Sequence, residues 1–139
     1  MAGEAILDSN ILLRYLTDEP RQLADRAAAI LEEAEANRLA LIVVPVVLAE
    51  VVYVLEKVYR WGRPDIANRL LELLSASVIT FLDSDAVTQT LIWYGEIAGL
   101  DFADAFVCAT AIVRGHGVVV SFDHDLERLD GVKVVTQPI

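Results

Sequence analysis

The sequence predicts an α/β fold: a central, mostly parallel sheet held between helices as a three-layer α/β/α sandwich. Short apolar runs, too short for helices, alternate along the whole chain with longer segments of helical periodicity. Those short runs are continuously apolar rather than alternating, as strands buried on both faces tend to be. Connections are brief, and no internal repeat, low-complexity tract or long linker interrupts them. With 139 residues the chain is expected to form one domain, 1–139, with a substantial core.

The first strand is Ala5-Ile6-Leu7, followed at once by Asp8-Ser9-Asn10 and the apolar run Ile11 to Leu16. That run opens a helix, with Asp8, Ser9 or Asn10 as its cap. The strand is expected near the centre of the sheet, placing Asp8 at a carboxyl end, the edge where open α/β sheets bind ligands. Thr17 to Pro20 is a break, and Pro20 begins a helix in which Leu23, Ala27, Ile30, Leu31 and Ala34 recur at helical spacing. Leu39 to Val44 is the second strand. Pro45 opens a helix to about Tyr59, Trp61 to Pro64 is a break, and Asp65 to Ser75 is a further amphipathic helix. Val78 to Leu82 is the third strand, with Asp83 and Asp85 as caps of a helix ending near Ala98-Gly99. Phe102 to Arg114 is an almost wholly apolar helix closed by Gly115 and Gly117. Val118 to Ser121 and Val132 to Val135 are the last strands, with Asp123-His124-Asp125 leading into a short turn between them.

Composition limits the function. Hydrophobic residues make up 55% of the chain, enough for sheet and helices to share wide apolar faces and still leave a partner surface. Leu39 to Leu55 resembles a membrane span, but Pro45 divides it and Glu50 would be costly in lipid, so a non-membrane core is expected. No secretory signal is visible, and the single Cys108 suits a reducing cytoplasm and a core position. A formal charge of −10 argues against a protein that coats nucleic acid through its net field. An enzyme with a metal-dependent pocket remains compatible with that acidity.

Four acids stand out. Glu50 is the only charge between Arg38 and Glu56, and a lone buried carboxylate costs several kcal/mol unless compensated. Its side chain, leaning toward the helix N-terminus, is expected to reach the edge that carries Asp8; the plain alternative is an ion pair with Arg14. Asp104 is the only charge between Asp101 and Arg114, and Asp101-Phe102-Ala103-Asp104 has the spacing of a helix cap. Asp123 follows the fourth strand, and Asp125 is similar but less well placed. Asp8, Glu50, Asp104 and Asp123 thus come from separate segments expected to meet at one sheet edge. Packed carboxylates repel unless a cation sits among them, and an all-oxygen set without His or Cys selects Mg²⁺ or Mn²⁺. Such an ion calls for a substrate with oxygens to offer, such as a phosphodiester.

With those positions in view, the chain resembles the PIN-domain ribonucleases, and among them the VapC toxins of prokaryotic toxin–antitoxin pairs. The matching pieces are Ile6 to Leu16, Val47 to Leu55, Asp101 to Phe106 and Ser121 to Leu126, in that order. The resemblance implies an endoribonuclease that uses Mg²⁺ or Mn²⁺, with acid roles on Asp8, Glu50, Asp104 and Asp123. Asn10 and Ser121 would be polar neighbours that orient them, with Ser121 where the family more often has Thr. Asp101 would substitute for or assist Asp104. A homodimer, and a cognate antitoxin whose tail fills the acidic groove, are implied partners.

The expected chemistry is in-line attack on an RNA phosphodiester by a metal-activated water. Asp8 and Asp104 are first-choice ligands; Glu50 is a ligand or orients the water, and Asp123 completes the site. Arg14, in the helix that follows Asp8, is a candidate contact for a substrate phosphate. Lys57, Tyr59, Arg60, Trp61 and Arg63 form the one basic-aromatic cluster, either an RNA contact or a solvated helix end. Two other classes are weighed against the nuclease. An aspartyl-phosphate domain would want a second acid two residues after Asp8, and Lys133 falls inside a strand. A catalytically inactive module would use the acids to dock an Arg-rich partner.

Overall fold

The computed structural model describes residues 3–137. In chain order the elements are β1 (Gly3–Ile6), α1 (Ser9–Thr17), α2 (Arg21–Ala36), β2 (Leu39–Val43), α3 (Pro45–Lys57) and α4 (Arg63–Leu74). They continue as β3 (Ile79–Phe81), α5 (Ser84–Glu96), α6 (Phe102–Val113), β4 (Val118–Val120), a 3₁₀ turn at His124–Arg128, and β5 (Lys133–Val135). Every strand pairing is parallel, as the α/β reading requires.

The strands fall into two groups, β1-β2-β3 and β4-β5. β2, not β1, is therefore the central strand of the larger sheet, which corrects the expectation for the first strand. β2 is buried from Leu41 to Val43, while β1 buries no residue fully until Leu7, just past its end. Among the described residues no ladder joins β1 to β4. The register pairs Ile6 with Ile42 and Val43 with Phe81, so β1, β2 and β3 end at one common edge. Asp8, the start of α3 and Asp83 all follow that edge.

Two apolar clusters fill the interior. One packs Leu12 and Leu16 of α1 and Leu48, Val51, Val52 and Leu55 of α3 against Leu41, Val43 and Phe81. The other packs Ala105, Cys108 and Ala109 of α6 against Val119, Leu126 and Val134, with Phe106 touching both clusters. The small residues of α6 let it lie close to β4, with which it makes direct contact. Gly117 is needed where α6 gives way to β4. Its φ is 67°, and a side chain there would collide with the Gly131 carbonyl.

Other departures are local. α4 begins at Arg63 rather than Asp65, because Pro64 occupies its first turn instead of preceding it. Asp83 stands at the cap position of α5 in a left-handed conformation, with no side-chain cap bond. Leu39 to Leu55 divides into β2 and α3, and no described helix is long and apolar enough to cross a membrane.

Candidate active site

The centre of the site is the N-terminus of α6. Asp101 caps the helix, and its carboxylate accepts the backbone N–H of Asp104 at 3.2 Å. The cap spacing read from the sequence is therefore the geometry present. Asp104 lies one turn before buried Cys108 on the same helix stripe and is itself partly buried. Burial pushes its carboxyl above the usual range, and the charges of Asp101 and then Asp123 push the same way. The Cys108 thiol is raised by burial and then by Asp104 and Asp123, so this cysteine is an inert core residue that senses the same acids.

Asp123 reaches this neighbourhood from the other side, past the end of β4. The Ser121 hydroxyl accepts the Asp123 N–H at 3.0 Å, and the Asp123 carboxylate accepts the Asp125 N–H at 3.0 Å. Ser121 thus orients the acid through its backbone. Asp125 is turned aside: it is exposed and lies 3.6 Å from Arg128 in an ion pair.

Asp8 and Glu50 occupy neighbouring elements of the edge. Asp8 stands at the cap position of α1, but its side chain makes no cap bond, which leaves an exposed carboxylate free. Glu50 is exposed, which corrects the expectation of a buried charge. The buried face of α3 is Leu48, Val51, Val52 and Leu55, and residue 50 lies off it. The apolar run misled because it is wider than the core it serves: Val46 is 75% exposed and Tyr53 62%. Arg14 does not pair with Glu50; it points to Tyr59 Oη and the Glu19 carbonyl, each at 3.5 Å. With Asn10 and Arg26 it lines a cleft of about 200 Å³ between α1 and α2.

The fold therefore brings Asp101, Asp104 and Asp123 into one another's field and leaves Asp8 and Glu50 exposed, at the cap of α1 and on α3, outside that group. Among the described residues no three His, Cys, Asp or Glu side chains stand close enough together to hold a metal ion as they lie. The donor set nevertheless fits a hard divalent ion. It is all carboxylate oxygen, it contains no His or Cys, and repulsion within it is resolved by positive charge.

A second cluster escaped the sequence reading. Arg63, the first residue of α4, places Nε 3.2 Å from Glu56 Oε1 and its guanidinium 4.4 Å from the Tyr94 ring centroid. Its Nη1 donates to the Leu100 carbonyl at 2.5 Å. The Tyr94 hydroxyl donates to the same Glu56 oxygen, and Lys57 lies 3.2 Å from the other. The Tyr94 bond, helped by Lys57 and Arg63, holds Glu56 below the usual carboxylate range against the opposing push of burial. Burial and Glu56 raise the Tyr94 hydroxyl well above its ordinary value. Arg63 is thus engaged with Glu56 and largely removed from solvent, whereas Lys57 stays exposed at the end of α3, as the solvated-helix-end reading expects. The one local sign, a cation at a helix start where the dipole disfavours it, was hidden because the sequence places Arg63 in a break before the helix.

Parallel strands under helices, with carboxylates gathered past the strand ends, define an α/β domain whose acidic edge suits a hard cation. The PIN domain family matches residues 5–132, and the chain belongs to that family. PIN domains are generally metal-dependent nucleases. No curated protein matches the chain.

Proposed function

We propose that the chain is an Mg²⁺- or Mn²⁺-dependent endoribonuclease and the toxin of a VapC-type toxin–antitoxin pair in the prokaryotic cytoplasm. The observation that carries this reading is the meeting of acids at the start of α6, in a chain that matches the PIN family over residues 5–132. There Asp104 is partly buried, held by the Asp101 cap and within the field of Asp123. A carboxylate left in that state is costly to keep ionised until a positive charge joins it.

Asp8 and Asp104 are the principal ligands, with Asp123 completing the set. Glu50, projecting from α3 beside the same edge, ligates or orients the attacking water. A divalent ion bound there acidifies water and offsets charge on the phosphoryl oxygens. Asp101 holds Asp104 by its backbone, and Ser121 holds Asp123 in the same way. Asn10 orients Asp8 from the first turn of α1. Arg14 and Arg26, lining a cleft that opens beside Asn10, meet flanking phosphates of the strand. Local positive charge is needed there because the chain as a whole is acidic.

The exposed apolar side chains of Val46 and Tyr53 on α3, and of Val58 just past its end, support a protein partner, either a second copy or the antitoxin. The test is incubation of the purified chain with RNA in Mg²⁺, in chelator, and with the Asp104→Asn variant. The reading expects metal-dependent products with 5′-phosphate ends and loss of cutting in the variant. Metal-free cleavage leaving cyclic phosphates would overturn it.

A further inference from the structure

The Glu56–Arg63–Tyr94 cluster contains none of the acids assigned above, yet it ends on the residue before them. Leu100, whose carbonyl accepts from Arg63, directly precedes Asp101, the cap of α6. Leu100 itself closes the α5–α6 connection, with its side chain buried and its N–H donated to the Ile97 carbonyl at 3.3 Å. From Arg63 the connection is short: to the Leu100 carbonyl, along one peptide to Asp101, and through the Asp101 carboxylate to the Asp104 N–H.

Arg63 is an unfavourable choice for the first position of α4, because a cation there opposes the helix dipole. Such local conflicts are tolerated where another requirement outweighs them. Here the guanidinium does three things at once. It pairs with Glu56 through Nε, lies over the Tyr94 ring, and donates Nη1 to a backbone carbonyl of another connection. Only a planar fork does this; a lysine ammonium offers a single point of charge. Tyr94 is in turn packed edge-on against Phe102, the first residue of α6, with ring centroids 5.9 Å apart. The cluster therefore grips the α6 N-terminus at two points, Leu100 and Phe102.

We propose that Arg63 is a positioning residue for the acidic centre, holding the start of α6 so that Asp101 caps the helix and Asp104 presents its carboxylate to the divalent ion. Glu56 and Tyr94 fix Arg63 in turn. This rests on the metal-binding reading of the same acids. Removing outer groups that orient metal ligands typically weakens metal affinity by about tenfold to hundredfold.

The experiment is calorimetric titration of the full chain with Mn²⁺, alongside the Mg²⁺ dependence of RNA cutting and a melting curve for each variant. Arg63→Ala should weaken Mn²⁺ binding about tenfold or more, with Arg63→Lys recovering little of it. Glu56→Gln and Tyr94→Phe should fall between wild type and Arg63→Ala, and saturating Mg²⁺ should restore much of the lost cutting. A merely structural role would lower the melting temperature and leave metal affinity within twofold, and that result overturns the proposal. If Arg63→Ala does not fold, unchanged Mn²⁺ affinity in both Glu56→Gln and Tyr94→Phe overturns it equally. Failure of the underlying reading has a different signature: Asp104→Asn would then bind Mn²⁺ as the wild type does.

Discussion

Asp101 and Asp104 are joined by one hydrogen bond, from the Asp104 N–H to the Asp101 carboxylate at 3.2 Å. A cap normally favours the helix it begins, but here the cap's own charge also disfavours ionisation of the acid it holds. Structure and chemistry pull in opposite directions at this helix start.

Asp104→Asn separates the two. Because the folded carboxyl is raised above its unfolded value, its ionised form destabilises the ion-free fold above the unfolded pKa, and acidification relieves this. The variant should melt slightly higher than wild type at neutral pH without metal, and should lose cutting by about a hundredfold or more. Added Mg²⁺ should raise the wild-type melting temperature and leave the variant unmoved, as differential scanning fluorimetry would read.

Asp101→Asn and Asp101→Ala differ in their expected outcomes. Asparagine keeps a cap acceptor and removes the repelling charge, so stability should hold. Alanine removes both and should cost about 1 kcal/mol in chemical denaturation.

Glu56 has the opposite sign to Asp104. Its folded pKa is depressed, so its stabilising effect is present above the unfolded carboxylate range and is lost as pH falls through the folded value. Melting temperature should decline as pH falls through and below the ordinary carboxylate range in wild type, and less steeply in Glu56→Gln. Parallel curves for the two proteins would contradict this.

Arg14 and Arg26 should act on binding rather than on chemistry. Replacing both by Ala should raise the KM for RNA several-fold with a smaller change in kcat. The slope of log affinity against log salt should fall by roughly 0.7 for each phosphate that is no longer neutralised. An unchanged slope would remove these arginines from the substrate path.

Gly117→Ala should destabilise the fold by about 2 kcal/mol or more. The new methyl meets the Gly131 carbonyl, and the residue already has a positive φ. Thermal unfolding measures it directly.

What the sequence reveals and what it hides divide along physical lines. The alternation of elements was legible because continuous apolar runs and helical periodicity are local signals. Asp101 and Asp104 were legible for the same reason, since a cap is decided within four residues. Glu50 was misjudged because composition reports how apolar a helix is, not which of its faces meets the core. The centrality of β1 was misjudged because strand order is a non-local property of pairing. Arg63 was hidden because Tyr94 and Leu100 lie far from it in the chain, and because Glu56, though near, sits across the break between α3 and α4 and gives no helical spacing to read.

The absence of a ladder between β1 and β4 among the described residues gives the acidic edge a further property. Asp8 follows the larger strand group and Asp123 the smaller, with α6 lying against β4. An ion shared by those carboxylates would act as a rivet across a seam that the backbone does not stitch. Occupancy and cohesion then become one event, and slowed amide exchange in β4 and β5 on adding Mg²⁺ would be its sign.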